Sequence, residues 1–334
     1  MTQKILIIAP AWLGDMVMAH SLIQVIQQHN PEASLAILAP SSTLQITELM
    51  PEISIRFLIP DQHGQFNLKA RFKLARQLRA QKFTAAYVLP NTWKSALIPF
   101  LAGIPKRIGA LGEQRYFLLN DLRKGVKKLP LMVQRYVTLA HAPNAFTEAM
   151  PFPYPHLTVP ETLRDRIKQK FNLNLEKPVL TLSPGAAFGP AKRWPVHYFA
   201  EVARAKSDAG FQVWIIGGPA EVTLGAEIAT LEPRVHNFTM KTSLLEMAAL
   251  LSFSNQVLTN DSGPMHIAAS LNVPVFAIFG SSSPGFTPPL GDKVMIIEKL
   301  GLDCRPCFER VCPFGHYACL KEITPEQVLM RMTP

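Results

Sequence analysis

The amino-acid sequence predicts a two-domain α/β protein in which each domain holds a doubly wound parallel sheet. Short apolar runs alternate with stretches of helical length in both halves of the chain, which is typical of βαβ units. A proline-rich stretch, residues 142–160, is predicted to be a linker. The length of 334 residues suits two separate cores. We predict domains at residues 1–160 and 161–334 that face each other across a cleft, with the last helix free to pack back on the first domain.

The individual elements follow the same pattern in each half. In the first half, strands are predicted at residues 5–9, 35–38, 53–58, 84–89 and 107–110, and helices at 16–28, 68–81 and 93–101. In the second half, strands are predicted at 179–183, 213–217, 256–259 and 275–279, and helices at 196–208, 220–231, 243–251 and 265–271. Ligands of such sheets bind beyond the carboxyl ends of the strands, and a cleft between domains is the expected site.

Positive charge is concentrated in the first half of the chain. Residues 1–165 contain 18 Lys and Arg against 10 Asp and Glu, so they carry +8 of the total net charge of +10. An anionic substrate, an anionic membrane face or nucleic acid would suit this charge, and so would a solvated helix face. The usual nucleic-acid recognition motifs are missing from the sequence, so we predict no nucleic-acid partner.

The apolar runs also bear on location. None approaches the roughly 20 residues needed to cross a bilayer, and the N-terminus lacks the basic lead of a signal peptide. We therefore predict a cytoplasmic protein without a transmembrane segment. Peripheral attachment to the inner face of the inner membrane stays open.

A lone acid follows the first predicted strand. Gly14 and Asp15 stand where that strand passes into a helix, and no basic residue lies nearby in sequence. Such an acid is suited to capping the helix. Whether it also takes part in chemistry is open at this point.

Two loops of the second half together have the composition of a diphosphate pocket, and a third loop lies at the same edge of the predicted sheet. Residues 183–195, S-P-G-A-A-F-G-P-A-K-R-W-P, combine small residues with the cations Lys192 and Arg193. In T-N-D-S-G-P-M-H, residues 259–266, Asp261 and Ser262 precede a helix whose free N–H groups would bind an anion. Glu221 ends the third loop, residues 215–221. The structural alternatives are an N-cap for Asp261, a first-turn acid for Glu221 and a core histidine for His266.

These stretches resemble the lipopolysaccharide heptosyltransferases, which are GT-B glycosyltransferases with two Rossmann-like domains. The resemblance runs nearly end to end. It rests on residues 9–22 (A-P-A-W-L-G-D-M-V-M-A-H-S-L), 87–105, 116–121, 183–195, 259–269 and 286–290 (F-T-P-P-L). Residues 87–105 and 183–195 favour the branch of the family that adds the second heptose over the branch that adds the first.

The resemblance implies a reaction and a role for each residue. The first domain would bind the anionic lipid A–core acceptor and the second would bind ADP-heptose. Asp15 would be the general base that deprotonates the 3-hydroxyl of the first heptose, so that the anomeric configuration inverts. Lys192 and Arg193 would stabilise the departing ADP, and Glu221 would lie near the ribose. The diphosphate and the sugar would be bound by Asp261, Ser262, Gly263 and His266. No metal ion or cofactor is implied, and the sequence has no D-x-D motif.

Two features are not explained by the resemblance. Met240 stands where family members often carry glycine, and a core methionine is favoured there over contact with adenine. Four cysteines, at 304, 307, 312 and 319, are spaced C-x2-C-x4-C-x6-C with His316 between the last two. The first pair suits a metal turn, but the second lacks the usual zinc-site spacing, so reduced structural thiols are favoured and metal binding stays open.

Two other classes of function also stay open. The first is a different sugar-nucleotide enzyme on the same scaffold, such as the transferase that adds the first heptose or an epimerase. The second is a non-catalytic module that binds anionic lipid or nucleic acid, for which Asp15 would be dispensable. A dehydrogenase is disfavoured because the G-x-G-x-x-G fingerprint is missing from the sequence.

Overall fold

The computed structural model describes residues 3–59 and 67–332 of the chain. It divides the chain into two compact units, Met1–Pro155 and His156–Pro334. The division falls inside the proline-rich stretch, five residues before the predicted boundary at 160/161. Across the described ranges, no helix combines the length and the apolar character that a bilayer span requires.

The first unit is a six-stranded parallel sheet with helices between its strands. Its strand order is β3-β2-β1-β4-β5-β6, so the winding direction reverses between β1 and β4. The strands are β1 (Lys4–Ile8), β2 (Ser34–Ala39), β3 (Ile53–Leu58), β4 (Ala85–Val88), β5 (Lys106–Ala110) and β6 (Asp121–Arg123). The helices are α1 (Leu13–His29), α2 (Ser41–Leu44), α3 (Leu68–Ala80), α4 (Trp93–Leu101) and α5 (Met132–Val137).

The second unit repeats this topology. Its strand order, β12-β11-β10-β7-β8-β9, reverses between β7 and β10. The strands are β7 (Val179–Ser183), β8 (Gln212–Ile215), β9 (His236–Asn237), β10 (Gln256–Asn260), β11 (Val275–Phe279) and β12 (Val294–Glu298). The helices are α6 (Glu161–Lys170), α7 (Val196–Asp208), α8 (Val222–Leu231), α9 (Leu244–Leu251), α10 (Gly263–Ser270), α11 (Ala318–Lys321) and α12 (Pro325–Arg331).

The apolar runs form the inner strands because both faces of a parallel sheet are covered by helices. In β7 and β11 every residue is buried, and in β1 only Lys4 is partly exposed. The last helix, α12, packs against α7 of its own unit, where Val328 and Met332 join the core around Trp194.

The basic cluster of residues 69–82 lies largely on the outer face of one helix. In α3 the buried positions Arg71, Leu74, Ala75 and Leu78 follow helical spacing, and the other basic side chains of the helix are exposed. Arg71 is the exception, since its guanidinium donates to the Lys94 carbonyl oxygen at 2.7 Å. The solvated-face interpretation therefore holds for most of this cluster.

The two parallel-sheet domains confirm the α/β fold class. Three strands that the sequence did not predict, β6, β9 and β12, all form or extend sheet edges. Edge strands are short and bury less side chain, so they give a weak apolar signal. Helices α5 and α6 were also unpredicted; only Ile167 is buried in α6.

Candidate active site

The acid of the first loop lies in the first turn of α1, at the point where the winding of the first sheet reverses. Trp12 occupies the N-cap position and makes no side-chain cap, while Asp15 stands three residues further on. Asp15 is therefore not the N-cap residue of α1. A carboxylate in the first turn is favoured by the helix dipole and remains partly exposed to a ligand.

A buried tyrosine is hydrogen-bonded to this acid. Tyr136 lies on α5, which packs closely against α1, and only 3% of its side chain is exposed. Its hydroxyl donates to the Asp15 carboxylate. Burial, the charge of Asp15 and this hydrogen bond together hold the pKa of the Tyr136 phenol well above its usual value. The phenol therefore remains a donor to the carboxylate at neutral pH.

In the second unit, a lysine and an aspartate meet where the winding of the second sheet reverses. Lys192 follows β7 and Asp261 follows β10, and the Lys192 Nζ lies 2.5 Å from the Asp261 Oδ2. The Ser282 hydroxyl donates to the same carboxylate oxygen. Both members of the ion pair are mostly buried, with 15% and 5% of the side chains exposed. The predicted proximity of these two loops is therefore present in the structure.

A buried asparagine at the carboxyl end of β10 fixes the loop that carries Lys192. The fully buried Asn260 donates to the Pro184 carbonyl oxygen at 2.7 Å and accepts from the Trp194 backbone N–H at 3.0 Å. Arg193 donates to the Ala186 carbonyl oxygen at 3.2 and 3.3 Å. Its guanidinium thus contacts the backbone of its own loop, and the contact with ADP that the resemblance implies for Arg193 stays a prediction.

The third predicted element is the start of α10. Ser262 is its N-cap and Gly263 and Pro264 open the helix. Proline has no backbone N–H, so the first-turn N–H groups without an earlier turn to bond are those of Gly263 and Met265. His266 lies one turn further on and is 5% exposed. Burial lowers the pKa of His266 to about 4, with Asp261 raising and Lys192 lowering it. The imidazole is therefore neutral at pH 7, beside the Lys192–Asp261 pair.

Glu221 lies against the same loop as Lys192. Its carboxylate accepts the Gly218 N–H at 2.8 Å. A Cβ atom placed on Gly185 would come within 2.2 Å of the Glu221 Cγ, so the Glu221 side chain lies directly on this glycine and would have to shift for any larger residue. The structure thus brings Glu221, Lys192, Asp261 and His266 to one edge of the second sheet.

Met240 is not a core residue, so the prediction of a core methionine at this position is wrong. Its side chain is 57% exposed and its backbone φ is +61°. This left-handed conformation is the one that glycine adopts most easily. The glycine common at this position in the family is therefore explained by the backbone.

The cysteine-rich segment gives no formed metal centre. All four thiols are free, and in residues 3–59 and 67–332 no three His, Cys, Asp or Glu side chains are arranged to hold a metal ion. The thiols do line one small pocket together with Ala191 and Ser281. This places the cysteines directly behind the loop that carries Lys192.

Sequence reasoning missed the partners of the site residues. Tyr136 and Ser282 reach the site from other parts of the chain, and no motif marks them; Asn260 lies within the stretch 259–266 but was not singled out. Asn260 alone had a usable signal, because a polar residue at the end of an apolar strand needs a buried partner.

Comparison with known proteins shows the family of the chain. The family model described as glycosyltransferase family 9 (heptosyltransferase) matches residues 71–318. "Lipopolysaccharide heptosyltransferase 2" of Escherichia coli K12 is 40% identical over 98% of this chain and 97% of its own length. "Lipooligosaccharide heptosyltransferase 2" of Haemophilus influenzae is 40% identical over 99% and 98%. The solved structure of "E. coli ADP-heptose lps heptosyltransferase II" superposes with a TM-score of 0.88 at 37% identity, covering 99% of this chain and 97% of that one.

Proposed function

Because the chain belongs to glycosyltransferase family 9, the heptosyltransferases, we propose that it transfers heptose from ADP-heptose to the lipopolysaccharide inner core. It is a glycosyltransferase. Its near-full-length relatives carry the name heptosyltransferase 2, which supports an acceptor that already bears the first heptose.

The donor site proposed is the edge of the second sheet. The observation that carries this proposal is the Lys192–Asp261 pair beside the N-terminus of α10. An ammonium and a set of free backbone N–H groups are the donors that a diphosphate prefers. His266 is neutral there, so it would act as a hydrogen-bonding partner and add no charge. Glu221, beside the Gly185 turn, would accept the hydroxyls of the ribose.

The proposed reaction is a single displacement. A hydroxyl of the acceptor heptose attacks the anomeric carbon and forms a new C–O bond, while the bond from that carbon to the diphosphate oxygen breaks. The hydroxyl proton passes to Asp15, and the bonding electrons leave with ADP. Lys192 and the α10 N-terminus would stabilise the charge that develops on the leaving diphosphate, with no need for a metal ion or cofactor.

The proposed acceptor site is the carboxyl edge of the first sheet, where Asp15 lies. The +8 charge of residues 1–165 supports an anionic acceptor on this unit, because its core sugars carry phosphates and carboxylates. Such a lipid would be met at the cytoplasmic face of the membrane. We therefore place the protein in the cytoplasm, with peripheral contact at that face.

The experiment is ADP release from ADP-heptose with mono-heptosylated or unheptosylated lipid acceptor. We expect release only with the mono-heptosylated lipid. Asp15→Asn should lower kcat by about 10²–10⁴-fold with unchanged ADP affinity, since only the base is lost. Lys192→Ala should weaken ADP binding.

Two exposed residues of matching charge serve as controls. Glu32 and Lys177 are exposed and precede β2 and β7, at the ends of the strands opposite the proposed sites. Glu32→Gln and Lys177→Ala should leave turnover and ADP affinity at the wild-type values. Wild-type turnover in Asp15→Asn would overturn the base assignment. Turnover on the unheptosylated lipid would point instead to addition of the first heptose.

A further inference from the structure

The segment between β12 and α11, residues 299–317, lies against the proposed donor site without forming a helix or strand; we call it the cysteine strap. Irregular segments of this length in a compact domain are commonly functional. Three of the four cysteines belong to it. Its contacts show what it holds.

The backbone of the cysteine strap is hydrogen-bonded to the loop that carries Lys192. The Arg310 carbonyl oxygen accepts the Ala191 N–H at 3.0 Å, one residue before Lys192. The Ser281 N–H in turn donates to the Ala191 carbonyl oxygen at 3.0 Å, and the Phe308 N–H donates to the Ser281 carbonyl oxygen at 2.8 Å. The strap, the Lys192 loop and the loop after β11 therefore form one hydrogen-bonded layer.

A glycine makes the close approach of this layer possible. A Cβ atom on Gly189 would lie 2.5 Å from the Arg310 carbonyl oxygen. The φ of Gly189, +155°, is also one that other residues rarely adopt. Arg310 is thus fixed by its backbone at the turn before Lys192.

Side chains fasten the base of the strap. Arg305, whose side chain is 8% exposed, pairs with Glu298 at 2.8 Å and donates to the Gly280 carbonyl oxygen at 2.8 Å. The Gly315 N–H donates to the Cys312 carbonyl oxygen at 3.1 Å. Burial acts to raise the pKa of the Cys312 thiol, but the backbone N–H groups of residues 314–317 lower it overall. The Arg305 contacts join the strap to the ends of β11 and β12, beside the loop that carries Lys192.

The Arg310 side chain reaches the same aromatic ring as Lys192. The Arg310 guanidinium carbon is 5.3 Å from the centre of the Phe188 ring, and the Lys192 Nζ is 5.0 Å from it. The two cations are therefore no more than about 10 Å apart. Arg310 is exposed, and across the described ranges none of the ion pairs found includes it. Lys192, in contrast, already faces Asp261.

We propose that Arg310 is a further donor-binding residue, whose guanidinium contacts the diphosphate of the sugar nucleotide beside Lys192. The inference rests on the proposed function. Part of the Lys192 charge is balanced by Asp261, so a leaving diphosphate needs a second positive group, and Arg310 is the unpaired cation that the cysteine strap delivers. The strap is then part of the donor site, and its cysteines line the pocket behind it.

The test is calorimetric binding of ADP, AMP and adenosine to the whole chain carrying Arg310→Gln or Arg310→Lys. We expect the glutamine variant to bind ADP about 10- to 100-fold more weakly, because a charge-assisted contact is lost. Adenosine should bind as in the wild type, and the lysine variant should regain part of the ADP affinity. Arg164→Gln is the matched control, since its guanidinium lies 4.6 Å from the Phe253 ring in the same unit.

The outcomes separate this inference from the proposed function. Weak ADP binding in Lys192→Ala with wild-type binding in Arg310→Gln would overturn the role of Arg310 and leave the donor site standing. Wild-type binding in both variants would reject the donor site itself. Equal loss of ADP and adenosine affinity in Arg310→Gln would show that the arginine supports only the loop, which also overturns the proposal. Thermal unfolding checks that both Arg310 variants fold.

Discussion

Replacement of Tyr136 by phenylalanine tests how the protein sets the protonation of its proposed base. The change removes the hydroxyl that donates to Asp15 and keeps the buried ring that packs between α5 and α1. A donor of this kind favours the ionised carboxylate over the protonated one. Without it, Asp15 should take up a proton at a higher pH, and activity should fall earlier on acidification.

The size of the shift follows from the strength of the hydrogen bond. A hydrogen bond to a charged group contributes about 1.5–3 kcal/mol, and about 1.4 kcal/mol corresponds to one pH unit in a protonation equilibrium. Complete loss would move the acid limb of activity by about 1–2 pH units. Because Asp15 is partly exposed, water replaces some of the lost bond, so we expect a shift of about 1 unit toward higher pH.

The assay is kcat/KM for heptose transfer measured across the acid limb. Tyr87→Phe is the matched control, because it deletes a buried hydroxyl on β4 of the same unit. The Tyr87 hydroxyl interacts electrostatically with Arg123 and not with Asp15. Its acid limb should coincide with that of the wild type. An unshifted limb in a folded Tyr136→Phe protein would refute the coupling of the two side chains. A limb displaced toward lower pH would refute the sign of the effect.

Two further substitutions test the second unit. The pKa of His266 is lowered from 6.5 to about 4, so the unfolded chain binds the extra proton between these values and stability should fall as the pH drops through that window. His266→Gln should remove about 3 kcal/mol from the difference in unfolding free energy between the two ends of this window, measured by denaturant unfolding. An unchanged dependence of the unfolding free energy on pH would contradict a neutral buried imidazole. Gly185→Ala should displace Glu221, whose Cγ lies 2.2 Å from the added carbon, and weaken donor binding. Gly218→Ala is its control, because a Cβ atom there would meet only the Glu221 carboxylate oxygen, at an ordinary contact distance of 3.4 Å. Equal effects of the two variants on ADP affinity would argue against a role of Glu221.

The inner strands could be predicted because burial on both faces leaves a continuous apolar run. The predicted strands 179–183 and 275–279 coincide with β7 and β11, which lie inside the second sheet. The edge strand β9 has two residues, His236 and Asn237, neither of them buried. Its position is set by pairing with β8 and not by its own composition, so the sequence pattern could not reveal it.

The residues of the candidate site also differ in whether the sequence pattern reveals them. Lys192, Asp261 and Glu221 could be chosen from sequence because each follows a strand end within a loop of small residues. The tyrosine that donates to Asp15 could not be chosen in this way. Tyr136 lies 121 positions away in the sequence and reaches Asp15 only because α5 packs on α1. Met240 could have been interpreted better, because a position where relatives carry glycine points to a left-handed backbone more directly than to a packed core.

The Lys192–Asp261 pair is suited to bind a diphosphate even though its two charges oppose each other. An ammonium has three N–H donors, and Asp261 occupies one of them at 2.5 Å. The Ser282 hydroxyl helps to fix the carboxylate, so the ammonium is held in place with donors left for phosphate oxygens. A free lysine would lose more side-chain entropy on binding a ligand, whereas this one is already ordered. The carboxylate thus lowers the net charge of the site but fixes the position of its cation, and an unpaired Arg310 restores the charge.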